Sequence, residues 1–326
     1  MDDTAHNYTD PLNISAAVFV VLIGIAGLVL NGLIIYICIR SPSERTSFNI
    51  ICVFRAIANS VILSWVFLAT FLPIILMGNS PFSPFYETIV IGTANTLVAG
   101  LHNTGMYIAI NRFCAMYIPM YYSKLFGFKI TFLISILLFV YRLIKITFEF
   151  LHEIPLECWL TFDSVYLTWN PSMDEKCNEN SNSNSVISSA TIFLSAMIAI
   201  NTATFAKIYL FYKSTDLDVK ERNRKLKKNR ALFLQTVTQD AITLIDILFT
   251  FKLTLLSDTR IWQFFCGTVV WSSVHALDGL IMVMFNERLT FLKKTFFESS
   301  ANNSVALPIR KPLASVSPSM YPSRVD

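Results

Sequence analysis

The sequence predicts an all-α membrane protein: a seven-transmembrane helix bundle with an amphipathic helix on the inner surface. Three observations lead to this fold class. Hydrophobic residues make up 54% of the 326 residues and charged residues only 15%, whereas a soluble domain carries about 25% charged residues. Seven runs are long enough to cross a bilayer core, which takes about 20 apolar residues. Lys and Arg are concentrated in alternate connecting segments, a pattern typical of multi-pass membrane proteins.

The predicted spans cover residues 16–39, 48–77, 88–112, 130–150, 186–206, 231–256 and 261–285. The first, third and fifth have no charged residue in their apolar cores. The second contains Arg55, and Pro73 predicts a kink near its far end. The fourth and sixth carry several charges each. Together the spans define a membrane domain over residues 16–285.

The distribution of Lys and Arg orients the bundle. Of the 26 Lys and Arg, 20 lie in four segments: 40–47, 112–129, 207–230 and 286–326. That side is therefore predicted to be cytosolic, and the N-terminus, residues 1–15, to be extracellular. These N-terminal residues are acidic and lack the positive region of a cleaved signal peptide. Two glycosylation sequons, at Asn7 and Asn13, lie on the predicted outer side.

The segments outside the spans have distinct predicted roles. The long outer loop, residues 151–185, contains Cys158 and Cys177, which are predicted to form a disulfide because they face an oxidising compartment. Residues 286–297 are predicted to form an amphipathic helix on the inner membrane surface. Residues 298–326 are rich in Ser and Pro and are predicted to be a disordered cytosolic tail.

Polar residues recur inside the spans, where each charge costs about 2.5–3.5 kcal/mol on insertion scales. In the seventh span, Trp271, His275 and Asp278 fall on one helical stripe, which must face the bundle. One interpretation is a ligand site in the outer half of the bundle, formed by Asn95, Ser188, Thr191, Asp246 and Trp271. The other is that these residues are interhelical hydrogen-bond pairs that hold the bundle together.

A second polar set lies toward the inner half of the bundle. It is predicted to form a switch core with two arrangements, and its members are Asn31, Asn59, Gln239, Asp240 and Asp278. His275, near mid-membrane, is either a satisfied core residue or part of the ligand site. Arg142 and Lys145 either reach the outer interface and pair with Glu149 or anchor an anionic ligand. If Asp246 faces a cleft, it favours a cationic or hydrogen-bond-donating ligand. If Arg142 and Lys145 select an anion, Asp246 instead pairs with Lys252 or with a neighbouring helix.

The sequence does not support an enzyme. The four His are dispersed and have no metal-ligand spacing, and there is no Gly-rich phosphate loop. No cofactor, metal or nucleic-acid partner is predicted; the lipid bilayer is the expected surrounding. A channel or transporter remains the alternative, because intramembrane polar residues also line such pathways, although no internal repeat is visible.

Several segments resemble the pattern of rhodopsin-like receptors. Asn31 in LVLNG resembles the helix-1 Asn, and Asn59 in FNIICVFRAIAN stands where an Asp is usual. Arg112 resembles the Arg of Asp-Arg-Tyr, with Asn111 replacing the acid, and Asp278 stands where Asn-Pro-x-x-Tyr would begin. Over roughly residues 16–295, the segments NRFCAMYIPMYYSKLF, QTVTQDAI and HALDGLIMVMFN resemble the nematode serpentine receptor class X (Srx) chemoreceptors.

The resemblance implies a chemosensory G-protein-coupled receptor of the neuronal plasma membrane and sensory cilium. The implied partners are a small-molecule ligand and a heterotrimeric G protein. The residues expected to receive the G protein are Asn111, Arg112, Lys207 and Arg230. Because Asn111 cannot form the usual ionic partner of Arg112, appreciable basal signalling is expected.

Three departures from the rhodopsin-like pattern have consequences. Glu87 occupies the place of the usual helix-3 Cys, so the disulfide from that helix to the outer loop is expected to be missing. Asn59 carries no charge, so the sodium site of many such receptors is expected to be absent. The sixth span has no Pro, so a switch based on a proline kink is not expected there.

Overall fold

The computed structural model describes residues 10–41, 46–171, 177, 183–214 and 219–285. The sequon Asn7, the predicted surface helix 286–297 and the predicted tail 298–326 lie outside the described residues.

Seven long helices and one short helix form the described part of the bundle, numbered here in chain order. They are α1 (Pro11–Arg40), α2 (Ser47–Met77), α3 (Pro84–Tyr117), α4 (Pro119–Leu125), α5 (Phe128–Glu153), α6 (Ser183–Ser214), α7 (Val219–Phe251) and α8 (Arg260–Phe285). Short 3₁₀ turns follow α5 and α7, at Ile154–Leu156 and Leu253–Leu256. The all-α bundle that the sequence predicts is confirmed.

Within the described residues, six of these helices are both long enough and apolar enough to span a membrane. α3 is long enough but is less apolar than the other six. It has 34 residues, but Asn95, His102 and Asn103 lower its hydropathy. Its neighbours explain this polarity, because α3 packs against α2, α5, α6 and the loop strand β1 (Leu160–Asp163). A helix in the middle of a bundle can carry polar side chains that a lipid-facing helix cannot.

Helix starts follow local capping chemistry. Asp10 caps α1 by accepting from the backbone N–H of Leu12, and Ser83 caps α3 in the same way through Tyr86. In both helices a Pro occupies the first position, where its missing N–H costs nothing. Both helices begin at the same end of the bundle, which is the end that carries the extracellular loop in the predicted orientation.

A wide helical segment precedes Pro73, the residue at which the sequence predicts a kink. α2 is π-helical over Ile62–Phe71, and the N–H of Leu72 donates to the carbonyl of Phe67 five residues earlier. Pro73 has no N–H, so it cannot donate to the preceding turn, and the wider turn accommodates its ring. α2 ends at Met77 and is capped by Gly78, whose φ of 72° is left-handed.

A β-hairpin closes one end of the bundle. β1 pairs antiparallel with β2 (Thr168–Pro171), and Asp163 stabilises the turn by accepting from two backbone N–H groups at 2.7 and 3.1 Å. Leu167, at the tip, is fully buried, and its carbonyl accepts from Thr268 of α8 at 2.6 Å. The hairpin therefore enters the mouth of the bundle. We call this the hairpin end, and the end that carries α4 the opposite end.

Candidate functional site

An ion pair between α2 and α8 lies at the centre of the bundle. Arg55 donates from Nη2 to Oδ1 of Asp278 at 2.8 Å and from Nε to Oδ2 at 3.3 Å. Both side chains are buried, with 6% and 5% of each residue exposed. Burying two charges is costly unless further hydrogen bonds satisfy them. One such bond runs from Nη1 of Arg55 to the carbonyl of Leu101 in α3 at 3.0 Å.

Amide side chains complete the environment of the Asp278 carboxylate. Asn59 donates to Oδ2 and Gln239 to Oδ1, each at 2.7 Å. Asn31 donates to the backbone carbonyl of His275 at 3.2 Å, and its Oδ1 accepts from Asn59 at 3.4 Å. We call this cluster the polar core; its members are Asn31, Arg55, Asn59, Gln239, His275 and Asp278. It connects α1, α2, α7 and α8.

The structure brings together four of the five residues predicted for the switch core, and it leaves out Asp240. The carboxylate of Asp240 accepts instead from Asn201 of α6 at 3.2 Å. Consecutive residues of a helix lie about 100° apart, so Asp240 and Gln239 face different neighbours. Sequence reasoning also missed Arg55 as a partner of Asp278. The sequence did contain an indication of that pair, because Arg55 and Asp278 are opposite charges in two different predicted spans.

A small cavity adjoins the polar core between α2, α3, α7 and α8. Its free volume is about 20 Å³, which accommodates one water-sized group. Its apolar wall is formed by Val98, Leu101, Ile242, Val274 and Ile281. Its polar lining consists of Arg55, Asn59, His102, Gln239, Thr243, Asp246, His275 and Asp278. Among the described residues, no group of three His, Cys, Asp or Glu is arranged to hold a metal ion.

Two buried polar atoms at this cavity have no hydrogen-bond partner among the described residues. They are Oδ1 of Asp246 and Nε2 of His275, and both residues are more than nine-tenths buried. A side-chain hydrogen bond joins the carboxyl group of Asp246 to Thr250, on the same helix. Seven other buried side-chain atoms among the described residues also lack a partner, and these two are distinguished by belonging to residues that line one cavity. The sequence left the role of His275 open, and the structure places it in both the polar core and the cavity wall.

Trp271 lies between the hairpin and the cavity rather than in the cavity lining. Its ring centroid is 6.0 Å from that of Trp169 in β2, 5.1 Å from that of Phe67 and 6.3 Å from that of His275. Trp271 is buried. Its ring therefore connects Trp169 of the hairpin to His275 of the polar core through aromatic contacts.

The predicted ligand residues of α6 do not reach the cavity. Ser188 and Thr191 are exposed, because the buried face of α6 is formed by another set: Leu194, Met197, Asn201, Thr204 and Ile208. The polar stripe used in the prediction thus lies off the face that contacts the bundle. Asn95 is half-buried in α3 and is not part of the cavity lining. Of the five predicted ligand residues, Asp246 lines the cavity, and Trp271 contacts the lining residue His275.

Glu87 joins α3 to the hairpin at the position where a Cys is usual. Oε2 accepts from the backbone N–H of Phe162 at 2.7 Å, and Oε1 accepts from the Ser80 hydroxyl at 2.5 Å. The hydroxyl of neighbouring Thr88 accepts from the N–H of Leu160 at 2.9 Å. Hydrogen bonds therefore hold the hairpin where a disulfide would be expected. The sequence analysis identified the missing Cys, but it did not predict that hydrogen bonds of Glu87 would take the place of the disulfide.

Two predictions concern modification of the hairpin end. The structure joins Cys158 to Cys177 in a disulfide, with Cα atoms 5.5 Å apart. Asn13 lies in the first turn of α1 and is buried, and its amide oxygen accepts from Arg260 of α8. A glycan has no room at that amide, so the structure argues against glycosylation of Asn13. Arg260 also pairs with Asp10, which fixes the start of α1 to α8.

The positive residues near the hairpin end have local partners. Arg142 donates to Asn103 of α3 at 3.1 Å. Lys145 pairs with Glu149 at 3.0 Å, with both side chains largely exposed. The pair with Glu149 favours the interpretation that Lys145 reaches the interface. Arg142 instead faces α3, and neither cation is part of the cavity lining, so the contacts do not support an anion anchor there.

Arg112 contacts α7 at the opposite end of the bundle. Nη1 donates to the carbonyl of Leu232, and to the Thr236 hydroxyl at 2.5 Å. Asn111 faces α4 instead, where its Oδ1 accepts from the Tyr122 hydroxyl at 3.4 Å. α7 thus supplies hydrogen bonds to Arg112, although the residue beside it is not an acid.

The remaining residues predicted to receive a G protein lie on exposed helix faces at this end. Arg230 of α7 is exposed. Lys207 of α6 is also exposed, and its ammonium lies 5.6 Å from the centroid of the Tyr117 ring. Arg112, Lys207 and Arg230 therefore share one end of the bundle, which is the end that the sequence predicts to be cytosolic.

Comparisons with known proteins agree with this architecture. Residues 21–286 match the family model described as serpentine type 7TM GPCR chemoreceptor Srx. Over 296 residues the chain is 24% identical to Serpentine receptor class X 45 of Caenorhabditis elegans, covering 84% of this chain and 79% of that protein. The fold is similar to the crystal structure of squid rhodopsin, with a TM-score of 0.66 at 14% identity, covering 90% of this chain and 87% of that chain. The predicted seven-helix fold is confirmed.

Proposed function

The chain belongs to the Srx family of serpentine seven-transmembrane G-protein-coupled chemoreceptors, and from that membership we propose that it binds a small-molecule ligand inside the bundle and activates a heterotrimeric G protein. Family and fold are those of a receptor and not of an enzyme, and the protein is a multi-pass membrane protein. We further propose that it resides in the plasma membrane with its N-terminus outside, because most Lys and Arg lie on the opposite side.

The observation that carries the proposal is the position of the polar core between a cavity and Arg112. The cavity is lined by Gln239 of α7 and Asp278 of α8, which are hydrogen-bonded to each other. The same helix α7 holds Arg112 at the opposite end, through Thr236. A ligand in the cavity therefore contacts the helix that holds the proposed coupling residue.

Activation follows from two arrangements of α7. In the described arrangement, α7 is bonded to Asp278 through Gln239 and to Arg112 through Thr236. A ligand shifts the population toward another arrangement only if it binds that arrangement more tightly. Release of Arg112 from α7 would then expose its guanidinium to the G protein, beside Lys207 and Arg230, which are already exposed.

The test uses cells that express the full chain, a calcium readout and a library of small molecules. Compounds that activate wild type are then applied to Arg112→Ala and to Lys124→Ala, a matched loss of one exposed charge in α4. We expect Lys124→Ala to respond as wild type and Arg112→Ala to lose the response at equal surface level. A full response from Arg112→Ala contradicts the coupling role. A response that persists after G-protein inactivation contradicts the receptor mechanism and favours a channel.

A further inference from the structure

The two unpaired atoms at the cavity are both hydrogen-bond acceptors. Oδ1 of Asp246 is a carboxylate oxygen and accepts when the acid is ionised. For His275 the network assigns the tautomer. Asn59 donates its Nδ2 to Asp278, so its Oδ1 is the acceptor that lies 2.9 Å from Nδ1 of His275. Nδ1 therefore carries the proton, and Nε2 presents a lone pair.

A third acceptor lines the same cavity. The hydroxyl of Thr243 donates its proton to the backbone carbonyl of Gln239 at 3.0 Å, one turn earlier in α7. Its oxygen keeps lone pairs that can accept a further hydrogen bond. Thr243, Asp246 and His275 all belong to the polar lining of this cavity.

The charges at the cavity point to a cation. The lining contains two carboxylates, those of Asp246 and Asp278, and one guanidinium, that of Arg55. Arg55 is paired with Asp278. With both acids ionised, one negative charge is left without compensation in a small, buried space, where an unpaired charge is costly.

We propose that the cavity binds a primary ammonium group of the ligand through Asp246, Thr243 and His275. An ammonium offers three donors to three acceptors and supplies the missing positive charge. The free volume of about 20 Å³ suits so compact a group, and the rest of the ligand would extend away from it. The proposal rests on the proposed receptor function and names the chemical class of its ligand.

The site also explains how binding of such a ligand affects the hydrogen bonds of the polar core. Nε2 of His275 faces the cavity, while Nδ1 of the same ring contacts Asn59. An ammonium bonded to Nε2 polarises the ring and alters the hydrogen bond to Asn59, which in turn contacts Asp278. The head group of the ligand is thus connected to the central ion pair through two side chains, His275 and Asn59.

The test measures thermal unfolding of the full-length receptor in lipid nanodiscs with methylammonium chloride as the probe. Matched samples contain tetramethylammonium chloride, which has the same charge but no N–H donor, or sodium chloride. Methylammonium should raise the unfolding midpoint by about 2 °C or more relative to sodium, and tetramethylammonium should not. Asp246→Asn should abolish the shift, whereas Glu149→Gln, which alters an exposed acid, should preserve it.

Equal shifts with the two organic cations, or a wild-type shift in Asp246→Asn, would overturn the proposal. If Asp246→Asn does not fold, Thr243→Val decides: a shift reduced by half or more supports the site, and an unchanged shift overturns it. The outcome is separate from the proposed function. Absence of a methylammonium shift, with signalling through Arg112 intact, removes the ammonium site and leaves the receptor function in place. A methylammonium shift in a protein whose signalling does not depend on Arg112 removes the coupling mechanism and leaves the ammonium site in place.

Discussion

Arg55 and Asp278 are 223 residues apart in sequence and form a bidentate ion pair in the middle of the bundle, with Nη2 and Oδ1 2.8 Å apart. In the rhodopsin-like pattern that the sequence resembles, the acid of this region is usual on helix 2. Here Asn59 stands on α2 and Asp278 on α8, and a guanidinium of the chain itself supplies the positive charge. The charge of the buried acid is therefore balanced by a side chain from another helix of the bundle.

Loss of one partner from this pair is expected to be strongly destabilising. Arg55→Met leaves the Asp278 charge buried, which should cost about 3–5 kcal/mol. The double variant Arg55→Met with Asp278→Leu removes both charges, so it should be more stable than Arg55→Met alone. Thermal unfolding of detergent-purified protein measures both effects. Lys145→Ala is the control, because its exposed pair with Glu149 should contribute about 0–1 kcal/mol. Similar values for Arg55→Met and Lys145→Ala would contradict the prediction.

Weakening the contact between Arg112 and α7 is expected to raise basal signalling. Thr236→Val keeps the side-chain shape but removes the oxygen that accepts from Arg112 at 2.5 Å. A hydrogen bond to a charged group contributes about 1.5–3 kcal/mol, so ligand-independent signalling should rise about tenfold at matched surface level. The measurement is calcium or second-messenger output without added ligand.

Thr238→Val provides the matched control for Thr236→Val. The Thr238 hydroxyl donates to the carbonyl of Leu234 within α7 at 2.8 Å, on an exposed face. Its replacement should leave basal output unchanged. An equal rise in both variants, or no rise in Thr236→Val, would show that α7 does not restrain Arg112.

The sequence predicts the fold well because the signals are long and redundant. Each span needs about 20 apolar residues, so the predicted cores remain correct although the observed helices extend beyond them, as in α1 (Pro11–Arg40) and α3 (Pro84–Tyr117). The cost of placing polar groups in lipid also predicted a shared polar core for Asn31, Asn59, Gln239 and Asp278. Those residues do meet in the polar core.

The parts of the site that sequence reasoning did not predict depend on helix rotation and on pairing between helices. Ser188 and Thr191 share a polar stripe, but the face of α6 that turns inward is fixed by tertiary packing of Leu194 and Met197. Asp240 differs from Gln239 by one position and meets Asn201 of another helix. Arg55 was visible as an intramembrane charge, yet only the packing of α2 against α8 identifies Asp278 as its partner.

The attachment of the hairpin to α3 is expected to depend on Glu87. Glu87→Ala leaves the backbone N–H of Phe162 buried without its acceptor, at a cost of about 1–3 kcal/mol. Glu87→Gln keeps an acceptor oxygen and should cost less. Hydrogen exchange of β1 reports the effect, with faster exchange in Glu87→Ala. Exchange at the wild-type rate in that variant would show that Glu87 does not hold the hairpin.

An epitope at the N-terminus should stain on intact cells. The reason is the concentration of 20 of the 26 Lys and Arg on the other side of the predicted bundle. A second epitope at the C-terminus is the internal control and should stain only after permeabilisation. The opposite pattern would reverse the orientation and with it the assignment of Arg112 to the cytosolic end.

Two glycines on neighbouring helices are expected to respond to Ala with opposite sign. A Cβ at Gly279 of α8 would lie 2.7 Å from Nδ2 and 2.9 Å from Cγ of Asn31. Asn31 would have to leave its position, which breaks the 2.8 Å bond from Nδ2 to the carbonyl of Gly27 and disturbs Asn59. Gly279→Ala should therefore destabilise the protein by about 1–3 kcal/mol, even though Ala is the better helix former.

Gly32, in α1, is the matched control for Gly279, since no atom lies within 4 Å of a Cβ built at that position. Gly32→Ala gains helix propensity without a clash and should stabilise the protein by about 0.5–1 kcal/mol. Thermal unfolding of the two variants side by side gives the sign of each effect. A stabilised Gly279→Ala would mean that Asn31 is not packed against α8, and the connection of α1 to the polar core would have to be abandoned.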